Sequence, residues 1–256
     1  MSWPEAMKAA LPGHGEWIIP DWNAPLHVKA FVTTRHGGVS TGAYASMNLG
    51  TRGGDDPTHV ARNRRIVHEL LPSTPRWMAQ AHGGAVADLD RMGAAQVAEA
   101  DAAVLGSRGP VGVVLTADCM PLFLCDADGK KAGVVHAGWR GMSGGVIENA
   151  VRALGATPAE VIAWMGPTIG PTAFEVGPEV REAFLASDPE AHAAFEPRIA
   201  GKYMADLYAL ARRRLARAGV AKVFGGGFCT FRDQERFFSY RREKLSGRMG
   251  AFIWME

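Results

Sequence analysis

Cysteine is scarce in this chain of 256 residues: Cys119, Cys125 and Cys229 are all it has. So small and odd a number in a mid-sized chain argues against a disulfide framework and suits a reducing compartment. Charge of one sign is missing too, since 28 Lys and Arg meet 26 Asp and Glu for a net charge of +2. That slight excess gives no electrostatic reason to expect nucleic acid or an acidic membrane surface as a partner. No apolar run is long enough to span a bilayer. The most apolar stretch, Val111 to Cys125, has 15 residues and carries Asp118 near its centre. The first residues, MSWPEAMKAALPGHGEW, hold no apolar core of signal-peptide length. Together these absences predict a soluble, cytoplasmic protein.

What is plentiful is turn chemistry: 31 glycines and 15 prolines favour a turn-rich, sheet-containing fold over a helical bundle. With 47% apolar and 21% charged residues the chain is globular in composition. No repeat, charge block or Ser/Pro-rich linker divides it, which predicts one domain over residues 1–256. Leu26–Thr34 has the pattern of a strand, and Asp56-Pro57 starts a helix that Pro72 stops. Trp77–His82 is expected to be a short strand with Met78, Gln80 and His82 on one face. Further strands are expected at Val111–Ala117, Pro121–Asp126 and Ala132–His136, the last two joined by a turn at DADGK. Val146, Ile147, Ala150, Val151 and Leu154 form one helical stripe. Later elements are a strand at Val161–Met165, helices near 178–186 and 204–218, and strands around 222–228, 236–241 and 249–254. The mixture predicts an α/β or α+β class.

Polar groups at strand ends are the candidates for chemistry, because sites are built on the loops beyond strands. His82, Cys119 and His136 each stand at such an end beside Gly or Pro, 37 and 17 residues apart. That spacing is too wide for a zinc finger, so a site made of them would be assembled by the fold. Two imidazoles and a thiolate suit zinc and leave a fourth position open, as in catalytic sites. The plainer alternative is a buried cysteine and two histidines that hydrogen-bond carbonyls. Arg35 in TTRHGG and Arg140 in GWRGMSGG stand among glycines, where a guanidinium can bind phosphate or carboxylate; a surface Arg on a tight turn is the competing reading. Asp118 interrupts an apolar stretch and requires a metal-ligating His, an Arg or backbone donors as partner. Asn48 in SMNLG and Gln80 are candidate substrate contacts. Cys125 is expected to pack, His59 and His68 to lie at the helix surface or its boundary, and His14, His27 and His192 to lack partners. Tyr240, Arg241 and Arg242 look like a solvated strand edge.

Six segments carry a resemblance: TTRHGGVSTGAYASMNLG, QAHGG, TADCMPLFLCD, VVHAGWRGMSGG, MGPTIGPTAFEVG and FFSYRREKLSGRMGAFIW. In this order they resemble the peptidoglycan editing factor family, also called YfiH-like or laccase-domain proteins, from about residue 17 to the end. The resemblance implies a mixed-sheet α/β/β/α sandwich similar to cysteine-hydrolase toxins. It implies a zinc ion held by His82, Cys119 and His136, with copper able to substitute by affinity. The implied activities are phosphorolysis of purine nucleosides and deamination of adenosine, or removal of L-Ser from a UDP-MurNAc-aminoacyl precursor. On the first, Asp118 would carry a proton and Arg35 or Arg140 would hold phosphate. On the second, Cys119 is either a ligand or the nucleophile. A non-catalytic nucleotide-binding module with a structural metal would instead need a fourth ligand, for which Cys229 is the candidate. A multicopper polyphenol oxidase needs far more ligands than 8 histidines, two of them well placed, can provide. The family motif Q-V-H-G reads Gln80-Ala81-His82-Gly83 here, and position 81 is expected to point away from the ligands.

Overall fold

The computed structural model describes residues 17–93 and 95–256. The elements that frame the site are β1 (Val28–Val32), α1 (Pro57–His68), β2 (Pro75–Arg76), β3 (Val86–Asp88), β4 (Ala102–Leu105) and β5 (Val111–Thr116). They continue with β6 (Met120–Asp126), β7 (Ala132–Ala137), α2 (Trp139–Ser143), α3 (Val146–Leu154) and β8 (Val161–Met165). Next come β9 (Glu175–Val176), α4 (Pro178–Leu185), β10 (Phe195–Pro197), β11 (Tyr203–Ala205) and α5 (Leu207–Arg217). The last are β12 (Lys222–Gly225), α6 (Tyr240–Glu243) and β13 (Met249–Met255).

Two mixed sheets dominate. One runs β1-β13-β5-β2 and the other β12-β8-β6-β7-β4-β3; β10-β11-β9 form a small third sheet. The period-two geometry of strands explains how these layers stack. Along β6, Leu122 and Leu124 face a core shared with Ile147 and Val151 of α3 and Leu210 of α5. The alternate residues Phe123 and Cys125 face the other way, against Val32, Val114 and Ile253 of the four-stranded sheet. On that sheet's far side Phe31, Phe252 and Trp254 pack with Val67 of α1. The result is helix, sheet, sheet, helix. A mixed α/β class is what the sequence predicted, and Cys125 packs as expected.

Local signals were reliable where they spanned a whole element. The α1 helix starts at Asp56, whose carboxylate accepts from Thr58 N–H at 2.7 Å. The β6–β7 hairpin and β8 fall where expected, and all five residues of the α3 stripe are buried.

Two expected strands are absent. Residues 77–82 make no ladder, because the Gln80 side chain takes over the pairing: its amide donates to Leu115 O at 2.9 Å and its Oε1 accepts from Leu115 N–H at 2.7 Å. Residues 236–239 are irregular, and the strand read at 236–241 ends instead in the α6 turn, capped by Ser239 Oγ accepting from Arg242 N–H. The short strands β3, β4 and β9 to β11 carried too few residues to show a period. His27 and His192 do have partners, the carbonyls of Gly129 and Pro189. His14 lies outside the described residues.

Candidate metal centre and cavity

The structure brings His82, Cys119 and His136 together, with one potential ligand atom from each and all within 4.8 Å of one another. Each comes from a different segment. Cys119 sits in the tight connection from β5 to β6, His136 is next to last in β7, and His82 follows the irregular segment after β2. The two imidazole rings meet edge to face with centroids 4.8 Å apart. Gly138 makes the approach possible. A Cβ there would lie 2.7 Å from Cys119 Sγ and 3.4 Å from the His82 ring.

Asp101, at the entrance to β4, organises the cluster and was not found in the sequence. One of its oxygens lies 2.8 Å from His136 Nδ1 and accepts from His82 N–H at 3.0 Å. The other accepts from Ala81 N–H and Gly83 N–H at 3.1 and 2.7 Å. A carboxylate on Nδ1 turns Nε2 toward the cluster, the arrangement that orients metal-bound histidines. The only local signal was an acid inside the small, apolar run AEADAAV. Burial opposes ionisation of Asp101, but His136 and the backbone N–H groups of Gly83 and Ala81 outweigh it and lower its pKa. Burial likewise works to raise the Cys119 thiol, yet the charges and hydrogen bonds of His136 and His82 bring it down to about 6. His136 is buried, which lowers its pKa, and the Cys119 thiolate and Asp101 raise it to about 9. The donor set of two nitrogens and one thiolate sulfur fits a borderline divalent ion such as zinc.

His82 and Asp118 both occupy the left-handed region, with φ of 59° and 87°. Surrounding hydrogen bonds hold them there. Asp118 O accepts from Ile169 N–H and from the Thr168 hydroxyl. Its carboxylate accepts from the Thr230 hydroxyl at 2.6 Å and from Arg241 N–H at 2.7 Å. The partner that the sequence demanded for this acid is therefore a backbone donor and a hydroxyl, with no histidine involved.

The cluster opens into a cavity of about 830 Å³ that is also lined by Asp118, Asn48, Gln80 and Arg140. Asn48 and Gln80 spend their side chains on the framework. Asn48 binds Gly50, Asp55 and Arg248, and Gln80 binds Leu115. Arg35 is not brought to the cavity wall. Its guanidinium donates to Ala45 O and Gln234 O and pairs with Glu243. Cys229 lies outside the cluster, its sulfur accepting from Gly170 N–H. The sequence carries no mark of several other wall residues, among them Arg52, Arg64, Trp77, Lys244 and Arg248. Tyr240 and Arg241 do not form the strand edge expected from the sequence; the α6 turn puts them on the wall.

Comparison with known proteins adds the family. The profile described as multi-copper polyphenol oxidoreductase laccase matches residues 29–256. The chain belongs to this laccase-domain, YfiH-like family. A purine nucleoside phosphorylase of Pseudomonas aeruginosa is 47% identical over 241 residues, covering 94% of this chain and 98% of that protein. The purine nucleoside phosphorylase YfiH of Escherichia coli is 48% identical over 240 residues, 93% and 98% of the two chains. Among solved structures, a Neisseria meningitidis protein matches with a TM-score of 0.90 at 45% identity, over 94% of this chain and 99% of that one. YlmD of Geobacillus stearothermophilus matches with a TM-score of 0.83 at 31% identity, over 90% and 92%. The laccase-domain fold thus accounts for nearly the whole of the chain.

Proposed function

We propose that this laccase-domain protein is a zinc-dependent purine nucleoside enzyme of the cytoplasm. It would cleave adenosine, inosine, guanosine or methylthioadenosine with phosphate and deaminate adenosine. The observation that carries the reading is the His82–Cys119–His136 cluster opening into a large cavity. The names of the Pseudomonas and Escherichia relatives support it. His82, Cys119 and His136 would hold the ion, which when bound supplies Lewis-acid activation of an oxygen nucleophile.

The chain's own residues do the rest. Asp101 keeps the His136 ring turned toward the cluster. Arg140, on the short α2 turn just after His136, makes no ion pair among the described residues and is free to orient phosphate. In phosphorolysis a phosphate oxygen bonds to C1′ as the C1′–N9 bond breaks, and the purine leaves with a proton. In deamination water adds to C6 and ammonia departs. Asp118 supplies the only carboxylate among the cavity-lining residues and is the proton carrier in both. A multicopper oxidase finds no second group of three ligands among the described residues.

The test compares zinc-loaded wild type with Cys119→Ala, given adenosine, or inosine with phosphate, and separates the products. Hypoxanthine, ribose 1-phosphate or inosine formed by the wild type alone is the expected result. No turnover by a wild type that retains its metal would sink the reading. The amidase acting on UDP-MurNAc-L-Ser would then be the activity to assay.

A further inference from the structure

The cavity wall is unbalanced in charge. Arg52, Arg64, Arg140, Arg241, Lys244 and Arg248 line it, against the single carboxylate of Asp118. Among the described residues none of these six cations makes an ion pair with a carboxylate. Aromatic rings hold them in place. Arg64 lies 3.7 Å from the centroid of Trp77, while Lys244 and Arg248 lie 5.5 and 5.7 Å from that of Tyr240. A ring face orients a cation without neutralising it, so the charge stays available to a ligand.

Two of these cavity-lining residues pack on one short segment. Arg64, from α1, donates its Nε to Leu49 O at 3.0 Å. The backbone of Arg248, just before β13, donates its N–H to Asn48 Oδ1 at 2.9 Å and accepts from Leu49 N–H at 3.1 Å, while its guanidinium Nη1 donates to Ser246 O and Gly247 O at 2.7 and 2.9 Å. Gly50 completes the arrangement, because a Cβ there would come within 2.7 Å of Arg248 Cγ. Both guanidiniums are partly buried, where a cation is costly; Arg64 has no counter-charge beside it among the described residues, and the charges of Cys119 and Asp118 act on Arg248 without forming an ion pair. Each keeps N–H groups with no protein acceptor among the described residues: the Nη groups of Arg64, and Nε and Nη2 of Arg248. Two such planar forks match the tetrahedral oxygens of a phosphoryl group. Arg140 belongs to a different segment, two residues from the Gly138 that lies beside Cys119.

We propose that Arg64 and Arg248, gathered on the Asn48–Gly50 segment, form an anion subsite distinct from the His82–Cys119–His136 cluster and that it holds a phosphoryl group. The inference rests on the functional reading above only in taking this cavity as the substrate site. The phosphoryl group has two sources, free orthophosphate or an ester carried by the nucleoside. Binding experiments separate them.

Purified metal-bound protein is titrated by calorimetry with orthophosphate. In phosphate-free buffer it is titrated with inosine and with inosine 5′-monophosphate, neither of which can then be cleaved or lose an amino group. The same titrations are run on Arg64→Gln, Arg248→Gln and Gly50→Ala, with metal content and melting temperature measured in parallel. Should Arg64→Gln fail to fold, Arg64→Lys takes its place. If the ester is the source, wild type prefers the monophosphate to inosine by tenfold or more and the variants lose that preference. If orthophosphate is the source, its dissociation constant rises at least tenfold in the variants while inosine binding holds. The subsite is overturned if folded, metal-replete variants bind orthophosphate and the monophosphate as wild type does. It is equally overturned if wild type binds no orthophosphate and does not distinguish the two nucleosides. Turnover of inosine with phosphate is assayed separately. Its absence with binding intact counts against the phosphorylase reading and leaves the subsite standing.

Discussion

Cys119 shows how a single residue acquires chemistry from its neighbours. Burial alone would keep its thiol protonated, as it does for Cys125, which burial in the inter-sheet core pushes up to about 12. At Cys119 the buried His136 and the nearby His82 reverse the sign and bring the pKa to about 6. The thiolate is the reactive form, so in metal-free protein alkylation of Cys119 should rise as pH climbs through about 6 and level off by neutrality. An ordinary cysteine would keep gaining as pH climbs through about 8.5 and beyond. Peptide-resolved mass spectrometry after iodoacetamide reads each cysteine separately, and Cys125 should stay unmodified throughout. Bound zinc should protect Cys119. A Cys119 rate that still climbs above pH 8 would show that the imidazoles do not control it.

At the level of elements, the site depends on how β5, β6, β7 and α2 meet. The β6–β7 hairpin sets Pro121 opposite His136, which brings the β5–β6 connection with Cys119 beside the end of β7. The chain then turns at Gly138 into α2, against the Cys119 sulfur. The φ of Gly138 is −74°, so alanine is allowed by the backbone and only the missing space opposes it. Gly138→Ala should therefore fold, with an overpacking cost of about 1–3 kcal/mol. Its bound zinc, measured by elemental analysis, should fall at least tenfold, and activity with it. Full metal content in this variant would mean that the cluster tolerates a displaced sulfur. The same level explains the missed strand at 77–82. A Gln side chain that mimics a peptide group satisfies Leu115 as a strand would, and alternation in the sequence cannot distinguish the two.

Across the whole molecule, the cluster joins segments far apart in sequence, and Asp101 ties the 81–83 segment to β7 through four contacts. An ion binding the folded chain alone raises its stability by mass action, about 2.7 kcal/mol at a hundredfold excess over the dissociation constant. Zinc should accordingly raise the melting temperature of metal-free protein, read by calorimetry. Asp101→Asn should shrink that gain, since losing such an orienting carboxylate weakens metal binding about ten- to a hundredfold. The variant also sets an amide NH₂ against backbone donors, an unsatisfied burial costing about 1–3 kcal/mol without zinc. An undiminished zinc shift in Asp101→Asn would remove Asp101 from the metal site.

The sequence by itself determined what nearest neighbours along the chain decide. Helical spacing marked α3, apolar runs with a turn between them marked the β6–β7 hairpin, and breakers beside strand ends marked Cys119 and His136, whereas His82 was marked beside a strand that does not form. It could not pair them with Asp101, because that partner stands just before a four-residue strand with no readable period. Nor could it separate the arginines. Arg35 and Arg140 look alike among glycines, yet one is spent on carbonyls and Glu243 and the other faces the cavity. Arg64 and Arg248 carried no local mark at all. Packing sets Arg64 against Trp77 and Arg248 beside Tyr240, and neither makes an ion pair among the described residues. Local pattern records which way a side chain points from its own element. What it meets there depends on contacts between distant residues, and only the tertiary structure decides those.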